Sequence, residues 1–167
     1  MITEDMRAII AAQKLCYAAT VTPEGRPNLS PKGTVRVWDD RHLFFCDIAS
    51  PQTRANLQQN PWIELNVVDT ISRRGYRFFG TATIHSGDEV YKQATSRVFA
   101  EEGAEYPVTT VILIRVERVA PLVSPGYWHV ADEWEMRESW KAKRVLFDRE
   151  FEDHIRRRGP WTRDTHE

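Results

Sequence analysis

Ser30, Lys32, Thr34 and Arg36 alternate through the stretch "RPNLSPKGTVRVW". Successive side chains of a strand point to opposite faces, so these four share one face. Leu29, Pro31, Gly33, Val35 and Val37 share the other. Two cations and two hydroxyls in one row make a donor-rich surface suited to an anion. Gly33 adds to that reading, because a mid-strand glycine often marks a close approach to the backbone. Alternation alone also allows the solvated face of an edge strand. A second donor-rich element follows in "SPQTRANLQQNP", Ser50 to Pro61. Ser50 is suited to cap a helix whose first position is Pro51, and Pro61 stops it at Asn60. Such a helix offers free N–H groups, the Ser50 and Thr53 hydroxyls and the positive end of its dipole. Arg54, one turn in, could fork onto phosphate oxygens. Leu57 is little for the segment to bury, so core packing alone does not account for it. One anion held between Lys32 and this helix is the chemistry the two elements suggest; a capped surface helix with a solvated arginine is the alternative.

Other chemistry is weakly signalled. The histidines at 42, 85, 129, 154 and 166 have no metal-ligand spacing, and no metal site is expected. The chain has no Gly-x-Ser-x-Gly elbow, phosphate-binding P-loop or dinucleotide fingerprint. Cys16 and Cys46 sit in apolar, strand-like runs and read as buried reduced thiols. No side chain stands out as a general acid or base.

The elements that would position these donors can be read along the 167 residues, a length suited to one domain with a real core. Residues 3–14 suit a helix capped by Thr3, with Met6, Ile9 and Ile10 on one side. "LCYAATVT" and "RPNLSPKGTVRVW" form a hairpin through Pro-Glu-Gly, and "HLFFCDI" extends the meander. "WIELNVVD", "GYRFFGTATIH" and "TTVILIRVERV" supply three more strands. Residues 87–103 suit a helix with Val90, Ala94 and Val98 on one face and Gly103 as its stop. The charged segment "DEWEMRESWKAKRVLFDREFEDHIRRR" runs from acidic to basic, as a helix dipole favours. Six strands, mostly in hairpin order, predict a mainly β fold with peripheral helices: a six-stranded antiparallel barrel filled by side chains. A ligand would then lie outside the barrel or between two barrels.

Lys plus Arg number 23 and Asp plus Glu 24, a balance that argues against a nucleic-acid or membrane surface. Apolar runs are too short to span a bilayer, and the first residues lack an apolar stretch of signal-peptide length. The expected location is cytoplasmic.

"YAATVTPEGRPNLSPKGTVRV", "LFFCDIASPQTRANLQQNPWIELNVV" and "GYRFFGTATI" together resemble successive motifs of the pyridoxamine 5′-phosphate oxidase-like, FMN-binding split-barrel family. The resemblance covers about residues 3–120. It implies a split barrel and a homodimer with flavin mononucleotide at the subunit interface. Ser30, Lys32, Gly33, Thr34 and Val35 on the strand, and Ser50, Gln52, Thr53 and Arg54 on the helix, would then bind the cofactor. Gln52 stands where many relatives carry lysine, so binding would lean on Arg54 and Lys32. Residues 121–167 read as a helical C-terminal extension of the single domain. They do not resemble the arginine-bearing closing segment of true pyridoxamine phosphate oxidases, so pyridoxal phosphate synthesis is not expected. The implied function is that of an FMN-binding oxidoreductase-like protein of unknown substrate; Arg36, or an aromatic from the partner's C-terminal segment such as Trp128, is expected to border the substrate space. A non-catalytic flavin module, or a split barrel using deazaflavin or haem, stays open.

Overall fold

The computed structural model describes residues 1–103, 106–159 and 161. Its elements run α1 (Glu4–Gln13), β1 (Cys16–Val21), β2 (Pro27–Lys32), β3 (Arg36–Val37), β4 (His42–Asp47), α2 (Pro51–Gln59), β5 (Trp62–Asp69), β6 (Arg74–His85), α3 (Glu89–Glu102), β7 (Thr110–Val123), a 3₁₀ turn (Pro125–Trp128) and α4 (Glu133–Arg158). They fall into two compact units: Met1–Asp69 with Arg74–Leu122, and Thr70–Arg73 with the described residues from Val123 on.

The first unit is built on one seven-stranded sheet ordered β2-β1-β5-β6-β7-β4-β3. The expected second strand is two. β2 pairs antiparallel with β1, from Cys16 opposite Lys32 to Val21 opposite Pro27, whereas β3 pairs with β4. These are the two edges of the sheet, joined by residues 33–35 alone. Four Cα–Cα steps reach at most about 14 Å, so the edges must approach and the sheet must curl into a half-barrel. That covalent link is what makes the fold a split barrel, and it accounts for seven strands where alternation suggested six.

The core follows from the same curl. Leu43, Phe45, Ile63, Leu65, Val67, Phe78, Ile112 and Ile114 fill the interior, with Ile9 and Ile10 of α1 and Leu57 of α2 packed against it. The opposite face of β4 presents Phe44 and Cys46 to Ala94 and Val98 of α3. Burial on both faces is why "LFFC" reads as an unbroken apolar run rather than an alternating one. Each such side chain contributes about 1.5–3 kcal/mol by leaving water.

The helix ends largely match the sequence. Thr3 caps α1 by accepting from the Met6 N–H, and Gly103 ends α3 with φ of 68°, a conformation that favours glycine. α2 is held as much by polar contacts as by Leu57. Its fully buried Asn56 donates to the Thr20 hydroxyl of β1 at 2.9 Å and accepts from Gln52 at 2.8 Å.

In the second unit, Asp132 caps α4 by accepting from the Glu135 N–H, and Arg156, Arg157 and Arg158 occupy the last turn. Met136 is the buried residue of that helix. The Tyr127 hydroxyl donates to the Ser72 carbonyl at 2.6 Å, and the Arg73 guanidinium lies 4.0 Å from the Trp140 ring centroid. No described helix is long and apolar enough to cross a membrane.

Candidate cofactor cleft

Lys32 ends β2 with only 4% of its surface exposed. Three acceptors surround its ammonium: Ser30 Oγ at 2.5 Å, Ser50 Oγ at 2.8 Å and the Pro31 carbonyl at 3.3 Å. The same nitrogen lies 5.5 Å from the centroid of the Phe45 ring. Burial lowers the Lys32 pKa from its usual range, while the Asp47 carboxylate and the Cys16 thiol oppose that shift. The face expected to be either a ligand site or solvated is therefore neither an open surface nor a row. Lys32, Thr34 and Arg36 are all buried, and each goes to a different partner.

Thr34 lies in the crossing from β2 to β3. Its hydroxyl donates to the Cys46 carbonyl and accepts from the Cys46 N–H, both at 2.9 Å. Arg36 turns to the end of α3, donating to Glu101 at 2.5 Å and also to Glu102, with a further bond to the Val35 carbonyl. Val35 points into the barrel core and is fully buried.

The start of α2 differs from the expected cap. Ser50 makes no side-chain bond to the first turn; its hydroxyl faces the Lys32 ammonium instead, and its own N–H donates to Asp47 at 3.0 Å. A buried ammonium is the stronger partner for that oxygen. Asp47, with 2% of its side chain exposed, also meets Arg54, whose Nη1 lies 3.3 Å from the carboxylate and donates to Thr109 Oγ1 at 2.9 Å. Arg54 thus has a carboxylate partner within the chain.

Ser30, Lys32, Gly33, Thr34 and Ser50 line one cleft of about 590 Å³. Such a volume lies within the usual range of small-molecule and cofactor sites. The other expected residues lie elsewhere. Gln52 lines a separate depression with Thr22, Glu24 and Arg26. Thr53 is buried, and its hydroxyl has no hydrogen-bond partner among the described residues. Neither Val35 nor Arg54 lines the cleft.

Cys46, Ile48, Ala49, Glu102 and Tyr106 complete the walls; the sequence marked Cys46 only as a buried thiol and did not single out the other four. Contiguity with Ser50 was the available signal for the first three. For Glu102 it was the acidic pair Glu101-Glu102 at a helix C-terminus, where the dipole disfavours negative charge and no basic residue occupies the last turn. Burial pushes the Cys46 thiol up to about 11 and the Cys16 thiol up to about 12, against the pull of Arg36 and Lys32 respectively.

The donor set of the cleft suits a phosphorylated group, since the Lys32 ammonium and the Ser30 and Ser50 hydroxyls lie together at the start of α2. Gly33 has room: an added Cβ would meet no atom within 4 Å, so neighbours within the chain do not demand glycine there.

Comparison with known proteins follows the same lines. The family model of pyridoxamine 5′-phosphate oxidase matches residues 2–122. HupZ of Group A Streptococcus is 37% identical, with a TM-score of 0.67 over 74% of this chain and 96% of that one. A candidate pyridoxamine 5′-phosphate oxidase from Lactobacillus delbrueckii is 27% identical, with a TM-score of 0.60 over 71% of this chain and 92% of that one. An FMN-binding protein from Syntrophomonas wolfei shares the fold at 15% identity, with a TM-score of 0.62 over 74% and 87% of the two chains. An F420 reductase and HutZ, the haem storage protein of Vibrio cholerae, share the fold at 19% and 16% identity. No curated protein matches. With the matched span covering most of the chain and the split barrel in place, the protein belongs to the pyridoxamine 5′-phosphate oxidase family.

Proposed function

We propose that this protein binds FMN in the Lys32–Ser50 cleft, as a homodimeric flavin-dependent oxidoreductase. The observation that carries the reading is the 2.8 Å contact from the buried Lys32 ammonium to Ser50, which brings a cation to the N-terminus of α2. A phosphate placed there meets Lys32, the Ser30 and Ser50 hydroxyls and the positive end of a helix dipole. Gly33 lets the cofactor approach the backbone, and Thr34 fixes the crossing strand against Cys46. The flavin, when bound, supplies the electron or hydride chemistry, and the protein supplies binding, orientation and electrostatics. The dimer reading is supported by the exposed Tyr17, Leu29 and Trp62 on β1, β2 and β5, apolar surface that a second copy would cover.

The test is an absorption spectrum of the purified protein, with acid release and chromatography of the bound group. Bound FMN, or FMN taken up on titration and weakened about tenfold or more by Lys32→Ala, is expected. A protein that ignored FMN but took up deazaflavin or haemin would overturn the cofactor assignment. FMN that was bound yet never reduced by NADH or NADPH would favour a module without turnover.

A further inference from the structure

We infer that Glu102 sets the charge selectivity of the cleft: its carboxylate accepts from ligand hydroxyls and turns away a ligand that carries a second anionic group. The inference rests on the cofactor reading above and sharpens it.

Among the described side chains that line the cleft, Lys32 and Glu102 are the charged ones. The cleft therefore has one positive end and one fixed negative wall. Glu102 is the last residue of α3 and is about three-quarters buried. Its Oε1 receives Lys14 Nζ at 3.2 Å and also the Arg36 guanidinium, which pins the side chain from α1 and β3. Those two cations, Lys14 first, hold its pKa below the usual range, so the group is ionised at neutral pH. Among the described residues Oε2 accepts no hydrogen bond, leaving an acceptor free. Arg36 does not line the cleft; it is buried and turned to Glu101 and Glu102. The negative end of the α3 dipole reinforces the charge of Glu102.

A ligand with one phosphate and a chain of hydroxyls satisfies both ends: phosphate at Lys32, a hydroxyl at Glu102. A ligand with a further carboxylate would place like charges together in a partly enclosed site, which is costly.

Equilibrium titrations with FMN and with haemin, whose two propionates supply two separate anionic groups, test the assignment. They are made on the wild-type chain, Glu102→Gln, Glu102→Asp and Lys14→Ala, each checked for folding by thermal melting. Glu102→Gln should raise haemin affinity about tenfold and lower FMN affinity about threefold or more, because the acceptor for the flavin hydroxyls loses its charge. Glu102→Asp and Lys14→Ala, which keep the carboxylate, should retain the wild-type preference. Unchanged haemin affinity in Glu102→Gln overturns the inference, as does tight haemin binding by the wild type. Failure of the wild type to bind FMN overturns the cofactor reading instead. The haemin series still decides the role of Glu102 in that case, and no gain for Glu102→Gln counts against it.

Discussion

Thr34 and Cys46 are joined by two hydrogen bonds: the Cys46 N–H donates to Thr34 Oγ1, and that hydroxyl donates to the Cys46 carbonyl, both at 2.9 Å. One side chain thereby meets both backbone groups of a residue on β4. It does so where the chain crosses between the two edges of the sheet, with no strand partner of its own.

Removing that hydroxyl should be costly. Thr34→Val keeps the shape but leaves the buried Cys46 N–H and carbonyl without this partner, a loss of about 1–3 kcal/mol. Thr34→Ser should recover most of it. Urea denaturation of the three chains checks the order; a Thr34→Val chain as stable as the wild type would show that water replaces the hydroxyl.

Gly33 and Gly80 should respond in opposite ways to alanine. A Cβ at Gly33 meets nothing within 4 Å, whereas one at Gly80 would overlap the Arg115 carbonyl of β7. Gly80→Ala should therefore cost about 1–3 kcal/mol. Gly33→Ala should leave the melting temperature unchanged or slightly higher, and yet weaken FMN binding. Thermal melts with and without FMN separate the two effects.

The two cations of the proposed phosphate site should differ in weight. Lys32 lines the cleft; Arg54 is paired with Asp47 and Thr109. Lys32→Ala should lower FMN affinity about tenfold or more, and Arg54→Ala should lower it less while also lowering stability, because it deprives the buried Asp47 of its cation. An Arg54→Ala effect on affinity as large as that of Lys32→Ala would mean that the arginine leaves Asp47 when phosphate binds.

Both thiols should be silent in the native state. Cys16 and Cys46 are buried, with pKa values pushed up to about 12 and about 11. Because the thiolate is the reactive form, a disulfide reagent at pH 8 should label neither thiol until denaturant exposes them, and then both. Labelling of one thiol in the folded protein would reveal local opening of its strand.

Asp5 links stability to acid. Hydrogen bonds from Arg74 and Tyr76 hold its carboxyl down at about 2. The folded value lies below that of an unfolded aspartate, about 3.9. Its contribution is therefore present in full above that value and is lost as pH falls towards 2. With 45% of the side chain exposed, solvent screening limits it to less than about 1 kcal/mol. Denaturation midpoints of the wild type and Asp5→Asn should differ at pH 6 and converge by about pH 2. A constant gap would assign the difference to packing.

The sequence by itself determined the local features. Thr3 as a cap, Gly103 as a stop, the register of Val90, Ala94 and Val98, and the bounds of α2 all depend on neighbours within a turn or two. Hydrophobic period and capping chemistry express such neighbours directly. The donor-rich character of residues 30–36 was legible for the same reason. Tertiary structure decided where those donors go. Strict alternation placed Lys32, Thr34 and Arg36 in one row, but residues 33–35 bridge the two edges of the sheet, and a strand that changes partners loses its common face. Arg36 meets Glu101, 65 residues away, and Lys32 meets Ser50, 18 away. Glu102 enters the cleft because α3 packs on β4, bringing its C-terminus beside that crossing. No local pattern encodes these meetings, because they depend on which edges pair when the sheet closes.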